Sequence, residues 1–459
     1  EISACLVGSE MCIRDRIGSL RPAPESLLGV DIGAAFTKAA LFEPVEGQYR
    51  LVAAGQAPTT AETHVFHGLA RACGAIEELA GRELMRDGEL LAGEVAGRRG
   101  VEIVAASVSC QRPLRVLATN AASALAARGE RCRVSELPAG TVTQRAGFIL
   151  AQHWDALVGD AHDLGPAEAC LNDEAGPPFI GGDARAIRGR LGELALELAR
   201  QTVPGLPELE AASTEPISSG PAALLSLTML IATRFGLRLA IADCGASQTM
   251  LAYASPDQEW LRLALRPTQR RGIPVDDAEL AALHAELEDA LRGCVEVDFG
   301  ADLLLGAGAL ARFSRWAQPA VTLLDGIQPA GVIQFALDTA GVVSQIAPFT
   351  ATLPDVASRI FEQDGLTGLG AAVCPRGSTK PGAKAIEVRW KIEDQPDQVR
   401  AVNAGDLVRI PLASGAKASL SLFPAKPVDV GLNRPGVAAT AQVDGGRVGL
   451  IVDLSLRHI

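Results

Sequence analysis

The chain has 459 residues, of which 48% are hydrophobic and 21% charged, so it is long enough for two or three domains with buried cores and is not expected to be disordered. Its formal net charge of -12 argues against a large contact with nucleic acid or an anionic membrane, because both require a concentrated basic face. The apolar runs are too short to span a bilayer, and no secretory signal is evident, so the expected compartment is the cytoplasm.

The first 16 residues follow neither a helical nor a strand period. They are similar to translated sequencing-adapter sequence, so we treat segment 1–16 as non-native and leave it out of the fold prediction.

A strand that ends in an aspartate and a glycine turn opens the rest of the chain. Leu28 to Ile32 is an apolar strand carrying Asp31, and the turn at Gly33 leads into a second apolar strand. A glycine lets backbone N–H groups approach a phosphate closely, and the aspartate can orient a metal ion or water. Taken alone, such a turn is more often an ordinary strand-end turn.

An alternation of helices and strands follows and predicts a layered α/β domain. Apolar spacing predicts a helix over 67–86, strands over 101–108 and 115–119, and helices over 121–128 and 184–201.

The second half repeats the design of the first turn about two hundred residues later. Leu239 to Ala242 is an apolar strand followed by Asp243, a turn at Gly245 and another apolar strand. A third strand then runs into Gly306 and Gly308, where a bared backbone can lie against an adenine ring or ribose. Two such turns suggest a nucleotide clamped between two related halves.

After about residue 370 the sequence character changes. A linker-like stretch rich in proline and glycine is followed by period-two alternation, which predicts a small β domain of about five strands. It contains no titratable cluster, so a docking or structural role is the expectation.

This order of motifs resembles the actin, heat-shock chaperone and sugar-kinase superfamily, in which two duplicated halves hold a nucleotide with two phosphate loops and an adenosine loop. Within it, the chain is similar to the glutamate mutase L family, ATPase-like accessory proteins encoded beside the cobalamin-dependent glutamate mutase. The segments that carry the resemblance are 31–38, 47–60, 107–116, the second phosphate turn and 429–436.

The resemblance implies an α/β fold: a duplicated actin-like (ribonuclease H-like) ATPase fold with a small C-terminal β domain. Its expected parts are a first half over 25–219 with the first phosphate loop, a second half over 220–368 with the second phosphate and adenosine loops, and a β-rich domain over 383–459. It also implies ATP and Mg²⁺ as ligands and a cobalamin-dependent mutase as partner, with neither nucleic acid nor membrane involved.

By the same resemblance, Asp31 and Asp243 would act in catalysis and position Mg²⁺ and water. The remaining contacts would be made to the phosphates by Gly33, Thr37, Lys38, Gly245 and Ser247, and to the adenosine by Gly306 and Gly308.

Three departures from the family pattern put ATP hydrolysis in question. Ala34 stands where the family usually has a hydroxyl residue, Thr249 where the second turn usually closes on an acidic residue, and Pro113 near a usual glycine pair. The leading hypothesis is an accessory protein that uses ATP to load, repair or release the cofactor of its client. The alternatives are a pseudo-ATPase scaffold, a small-molecule kinase of the same superfamily, and an actin-like filament protein.

Other chemistries find little support in the sequence. The pair His64 and His67 has a spacing that can bind a metal on a helix, but no third ligand follows at a matching spacing, which favours a surface pair. No Gly-x-Ser-x-Gly elbow accompanies the remaining histidines, so an esterase or protease is not indicated.

Overall fold

The computed structural model describes residues 24–93, 97–137, 144, 149, 153–163, 177–266, 277–295, 299–377, 379–393 and 395–455. The segment 1–16, predicted to be non-native, lies outside the described residues.

The first half contains both the long strands of the main sheet and a smaller inserted unit. Its elements, in chain order, are β1 Leu27–Ile32, β2 Phe36–Val45, β3 Gln48–Pro58, α1 Val65–Ala80, β4 Met85–Arg86, β5 Glu89–Leu90, β6 Ile103–Val108, β7 Leu114–Ala118, α2 Ala121–Ala127, β8 Cys132–Glu136, β9 Ala156–Val158, β10 Phe179–Ile180, α3 Ala184–Thr202, α4 Leu206–Ala212 and β11 Ser218–Ser219.

The main sheet of this half has the order β11-β6-β1-β2-β3. The strands β1, β2 and β3 form antiparallel pairs, whereas β6 is parallel to β1 and β11 is parallel to β6. Between β6 and β11 the chain forms a separate parallel sheet of order β10-β9-β7-β8. This inserted sheet carries α2 and α3 and reaches the cleft described below.

The second half and the C-terminal segment follow. Their elements are α5 Gly220–Phe235, β12 Leu239–Cys244, β13 Gln248–Ala254, β14 Glu259–Leu265, α6 Asp277–Cys294, β15 Leu303–Gly308, α7 Ala317–Ile327, β16 Gly331–Leu337, α8 Val343–Ile346, α9 Pro354–Asp364, β17 Thr367–Cys374, β18 Lys384–Ile392, β19 Gln398–Asn403, β20 Leu407–Ile410, β21 Lys417–Pro424, β22 Ala439–Asp444 and β23 Gly449–Asp453.

The second-half sheet begins β14-β13-β12-β15-β16 and repeats the first. Its first three strands are antiparallel neighbours, and β15 and β16 run parallel to β12. In both halves an antiparallel hairpin pair is therefore followed by two parallel strands on the other side of the central strand. The predicted duplicated actin-like α/β fold is confirmed by this shared order and direction.

Local sequence explains where several elements begin and end. Glu46 and Gly47 both have positive φ angles of 54° and 80°, as a two-residue hairpin turn of type I′ requires. The helix predicted over 67–86 stops at Ala80 because Gly81 adopts the left-handed conformation that ends helices. Helix α5 starts where the Ser219 side chain accepts a hydrogen bond from the Ala222 backbone N–H.

The two halves share one core. Leu27 and Phe42 of the first half are buried in the same apolar cluster as Leu227 of α5, Ile241 of β12 and Phe361 of α9. Helix α8 crosses β1 closely: a Cβ placed on Gly29 would lie 2.1 Å from the Gln345 carbonyl oxygen. Elements of the second half thus pack against the first-half sheet.

The C-terminal segment is rich in strands, as the alternation indicates. Four of its strands form a sheet of order β19-β18-β21-β22, whereas β23 and β20 extend the second-half sheet beyond β17. Val388 and Leu420 pack with Ala371 and Val373 of β17 in one apolar cluster. The predicted bounds 25–219, 220–368 and 383–459 remain predictions, but the C-terminal segment is joined to the second half by continuous strand pairing.

Candidate nucleotide-binding cleft

The two aspartate–glycine turns have the same backbone construction. Asp31 and Asp243 occupy the same place on β1 and β12, one residue before the strand end. A Cβ on Gly33 would lie 2.8 Å from the Phe36 carbonyl oxygen, and one on Gly245 would lie 3.0 Å from that of Gln248. Each turn is therefore too tight for a larger residue at its glycine.

Asp31 and Lys38 face one another across the first hairpin. They are directly opposite in the antiparallel register of β1 and β2, and Lys38 Nζ lies 3.4 Å from Asp31 Oδ2. Asp31 is 8% exposed, and the Lys38 side chain is 26% exposed. Lys38 Nζ also donates to Ser344 Oγ of α8 at 3.5 Å, which joins this hairpin to the second half.

Lys38 is surrounded by carboxylates from both halves. Burial alone would lower its pKa, but the negative charges of Asp31, Asp243 and Asp338 outweigh burial and raise the pKa of Lys38 above its ordinary value. Burial raises the pKa of Asp243, with Lys38 opposing and Asp31 adding to the rise. Lys38 thus stays charged and partly neutralises three acidic groups.

Asp338 follows β16 and was missed in the sequence analysis. Its carboxylate is 2% exposed and accepts hydrogen bonds from the backbone N–H groups of Val342 and Val343, at 2.9 and 3.0 Å. Burial nevertheless raises the pKa of Asp338 to about 6. The signal was present, because an apolar strand ending in an aspartate is the pattern that identified Asp31 and Asp243.

The second turn is contacted by two arginines that no motif predicted. Arg131, immediately before β8, donates through Nη1 to Ser247 Oγ at 3.0 Å and to Gln248 Oε1 at 2.6 Å. Arg266 donates to the Gly245 carbonyl oxygen and, through Nε, to Glu286 Oε1 at 2.8 Å. Residues 131 and 247 are too far apart in sequence for any local pattern to reveal the contact.

The third loop packs closely against the second turn. Gly308 has φ 67° and ψ -126°, and a Cβ there would lie 2.5 Å from the Cys244 carbonyl oxygen and 2.6 Å from Asp243 Oδ1. Gly306 lies deeper: a Cβ there would meet the side chains of Leu337, Leu310 and Leu323. Gly308 therefore lets the third loop approach the second turn closely, whereas Gly306 allows close packing in the core behind the loop.

One cavity of about 560 Å³ lies between the halves and brings the predicted turns together. Of the predicted site residues, those that line it are Asp31, Gly33, Lys38, Asp243, Gly245, Ser247 and Gly308. Asp338, Arg266 and Ala34 line it as well. Its volume is in the range usual for small-molecule sites.

Two of the predicted site residues lie elsewhere. Thr37 is fully buried, and its hydroxyl lies 3.1 Å from that of Thr59, on the side of β2 opposite to Lys38. Gly306 is packed in the core behind the third loop, as described above. Because side chains alternate along a strand, Lys38 and its neighbour Thr37 cannot both face the cleft.

One arginine that lines the cleft contacts residues of the first half. The Arg312 guanidinium, just after the third loop, lies 5.1 Å from the centre of the Phe36 ring and donates to Gln56 Oε1 at 2.8 Å. Phe36 and Gln56 belong to the first half, so this contact also joins the halves.

The two histidines considered in the sequence as metal ligands have no third ligand beside them among the described residues. The rings of His64 and His67 lie 5.7 Å apart at the start of α1, and among the described residues neither belongs to a cluster of three metal-ligating side chains. No described helix is both long and apolar enough to cross a membrane.

Several solved structures resemble the chain at low sequence identity. Nucleotide-free acetone carboxylase is 11% identical, with 83% of this chain and 81% of that chain covered and a TM-score of 0.38. Ethanolamine utilization protein EutJ from Carboxydothermus hydrogenoformans is 11% identical, with 76% and 93% covered and a TM-score of 0.31. Xylulose kinase from Bifidobacterium adolescentis is 14% identical, with 76% and 96% covered and a TM-score of 0.30.

These likenesses are too distant to indicate what this chain binds, and no curated protein matches it. A sequence family does match. Residues 27–150, about a quarter of the chain, fit the profile of the family described as MutL protein, which confirms the predicted resemblance to the glutamate mutase L family.

Proposed function

We propose that the cleft binds ATP with Mg²⁺ and that the chain is a cytoplasmic, actin-fold accessory protein of a cobalamin-dependent mutase. The observation that carries the proposal is the convergence of three glycine turns, two strand-end aspartates and one lysine on a single cavity of about 560 Å³ between the halves.

The residues present fit such a ligand. Carboxylate oxygens are the protein ligands that Mg²⁺ prefers, and Asp31 and Asp243 supply them from opposite halves. Lys38 offers a positive charge to phosphate oxygens, and the turns at Gly33 and Gly245 bring backbone close to the cavity. Gly308, which also lines the cavity, would lie beside the adenosine. When bound, the metal would offset phosphate charge.

The proposed effect of nucleotide binding is a movement of the two halves relative to one another. Lys38 and Ser344 connect the halves beside the cavity, and so does Arg312 with Phe36 and Gln56. A ligand held between the halves shifts the open and closed populations only through its different affinity for the two states. Phosphates that engage Lys38 would compete with its carboxylate partners, and this competition supplies such a difference.

A pseudo-ATPase scaffold is the second candidate, and one observation favours it. Ala34 lines the cavity without a hydroxyl, so it offers a phosphate group no side-chain hydrogen bond. The Ser247 hydroxyl accepts from Arg131 and can still donate its own proton. The fold and the cleft would then be kept for interaction with a partner and not for nucleotide turnover.

Nucleotide-dependent unfolding separates the two candidates. At a hundredfold excess over Kd, Mg²⁺-ATP would stabilise a binder by about 2.7 kcal/mol and so raise its Tm. The same gain should disappear in Lys38→Met and persist in Lys384→Met, whose side chain is half exposed in the C-terminal segment. An unchanged Tm of the wild type at saturating Mg²⁺-ATP would reject nucleotide binding and leave the scaffold.

The accessory role needs a separate experiment. The chain would be mixed with a purified cobalamin-dependent mutase, with and without Mg²⁺-ATP, and complex formation followed by size-exclusion chromatography. Nucleotide-dependent association supports the role, and nucleotide binding without any effect on the mutase would contradict it.

A further inference from the structure

We infer a second site, for a first-row divalent cation of the Zn²⁺ type, formed by His284, Glu288 and Asp325 between helices α6 and α7. One candidate ligand atom from each side chain lies within 4.8 Å of the other two. The site is separate from the cleft, and its argument does not depend on nucleotide binding.

Helix geometry brings the three side chains together. His284 and Glu288 are four residues apart on α6 and so lie on one face of that helix. Asp325 comes from α7, which approaches α6 closely beside it, since a Cβ on Gly326 would lie 2.8 Å from the Leu291 Cβ. Two helices therefore supply the ligand atoms, at a point where a glycine permits close contact.

A threonine fixes the tautomer of the histidine. Thr322 Oγ1 donates to the Gln318 carbonyl oxygen at 2.9 Å, so it accepts the hydrogen bond from His284 Nδ1 at 2.7 Å. In the neutral ring Nε2 then carries a lone pair. Metal-binding histidines usually donate a hydrogen bond from the ring nitrogen that does not bind the metal, and this bond orients the ring.

The free nitrogen faces a carboxylate at a distance suited to a shared ion. His284 Nε2 lies 3.7 Å from Glu288 Oε2, beyond the range of a hydrogen bond. Two ligands on one tetrahedral Zn²⁺, with bonds of about 2.0 to 2.2 Å, are separated by roughly 3.4 Å. A lone pair facing a carboxylate is unfavourable without a cation or a proton between them, and Zn²⁺ would fill this place.

Burial and access also suit a metal ion. Asp325 is 4% exposed, so its carboxylate would hold an ion away from bulk water. His284 is 30% exposed and lines a cavity of about 350 Å³ with Phe313 and Ala317, which gives an ion a route to Nε2. Glu288 also pairs with Arg292, so one carboxylate is already partly neutralised.

The position of this site suggests what the ion would do. Leu283, the residue before His284, lines the nucleotide cleft, and α7 begins five residues after the short turn Ala309–Arg312 that follows Gly308. An ion joining α6 to α7 would thus hold the two helices that flank the third loop.

The test uses the full chain, stripped with a chelator and titrated with Zn²⁺ alone by calorimetry, without nucleotide. We expect one equivalent to bind and to raise Tm. His284→Ala and Asp325→Asn should each abolish that equivalent or weaken it at least tenfold, and Thr322→Ala should weaken it about tenfold. The matched control is His67→Ala, an exposed helix histidine, which should retain the equivalent.

Circular dichroism establishes that each variant is folded, and Glu288→Gln replaces any variant that is not. Titration with Co²⁺ gives a second readout, because its visible absorption reports the ligands directly. The inference is overturned if the wild type binds no Zn²⁺, or if folded His284→Ala and Asp325→Asn proteins bind it as the wild type does.

Discussion

The two turns have the same backbone construction, but only the first has a charged residue opposite its aspartate. In the first hairpin Asp31 lies opposite Lys38, whereas in the second the partner of Asp243 is Met250. The single lysine therefore serves the aspartates of both turns as well as Asp338. Duplication of the strands has preserved the positions of the acidic groups, and the compensating cation comes from one half only.

The supports around the turns differ in the same way. Beside β1, the residue paired with Asp31 on β6 is Ser107; beside β12, the residue paired with Asp243 on β15 is Ala307, followed by the crowded Gly308. Arg131 reaches the second turn from the inserted sheet. The second turn is thus contacted by a distant element, whereas at the first turn the Thr59 hydroxyl, just after β3, donates to the Gly33 carbonyl oxygen at 2.7 Å. Substitutions should therefore affect the two turns unequally.

Gly308→Ala should have the largest effect, because its Cβ would clash with the second turn in a backbone conformation that only glycine adopts readily. We expect a loss of about 4 kcal/mol in the free energy of unfolding, measured in urea by tryptophan fluorescence. Gly341→Ala is the control, with a positive φ of 70° but nothing within 4 Å of an added Cβ, and should lose about 1 kcal/mol. Equal losses in the two variants would show that Gly308 does not support the second turn.

Arg131→Met should come next. It removes the hydrogen bonds to Ser247 and Gln248 and leaves the buried Glu130 without the nearby positive charge. Loss of one partner from a buried pair predicts destabilisation by about 3 kcal/mol, again measured in urea. Arg133→Met, on an exposed neighbouring position, should change stability by less than about 0.5 kcal/mol. If both variants behave alike, the second turn does not depend on the inserted sheet.

Lys38→Met gives the first turn the residue that the second turn has at Met250, and its effect should depend on pH. The pKa of Asp338 is about 6 in the folded chain, above its ordinary value of 3.8, so the folded state keeps a proton that the unfolded state has lost. Its free energy of unfolding therefore decreases as pH rises through this window. Without Lys38 the pKa of Asp338 rises further, and the decrease extends to higher pH.

The stability difference between wild type and Lys38→Met should consequently grow from pH 5 to pH 8 and reach about 2 kcal/mol, the equivalent of one to two pKa units. Urea unfolding across this pH range measures it, with Lys384→Met as the exposed control. A difference that is constant with pH would mean that Lys38 does not compensate the buried carboxylates.

Ala34→Ser should have the smallest effect and would sharpen the contrast between the turns. It adds a hydroxyl at a residue that lines the cleft. One further hydrogen bond to a phosphate, worth about 0.7 kcal/mol net, would tighten Mg²⁺-ATP binding about threefold in calorimetry. Ala122→Ser, on the exposed side of α2, should leave the affinity unchanged. An affinity unchanged in Ala34→Ser would place the phosphates away from this turn.

Sequence determined those features of the chain that depend on neighbours along it. The hairpin at Glu46 and Gly47, the helices α2 and α3, and both aspartate–glycine turns follow from apolar periodicity and from the conformational preferences of glycine. The local patterns also indicated α/β layering and two related turns, and the duplicated actin-like fold was implied by the resemblance to a known superfamily. The same reasoning applies to Asp338, because it also follows an apolar strand, but it was not among the predicted site residues.

Tertiary structure alone decided which of these residues share a space. Thr37 turns away from the cleft because it alternates with Lys38, and Gly306 lies in the core because of three leucines brought from elsewhere in the second half. The approach of Arg131 to Ser247, and of Asp325 to His284, joins segments that are distant along the chain or lie on different helices. Contacts of this kind depend on how sheets and helices pack, which leaves no periodic trace in the sequence.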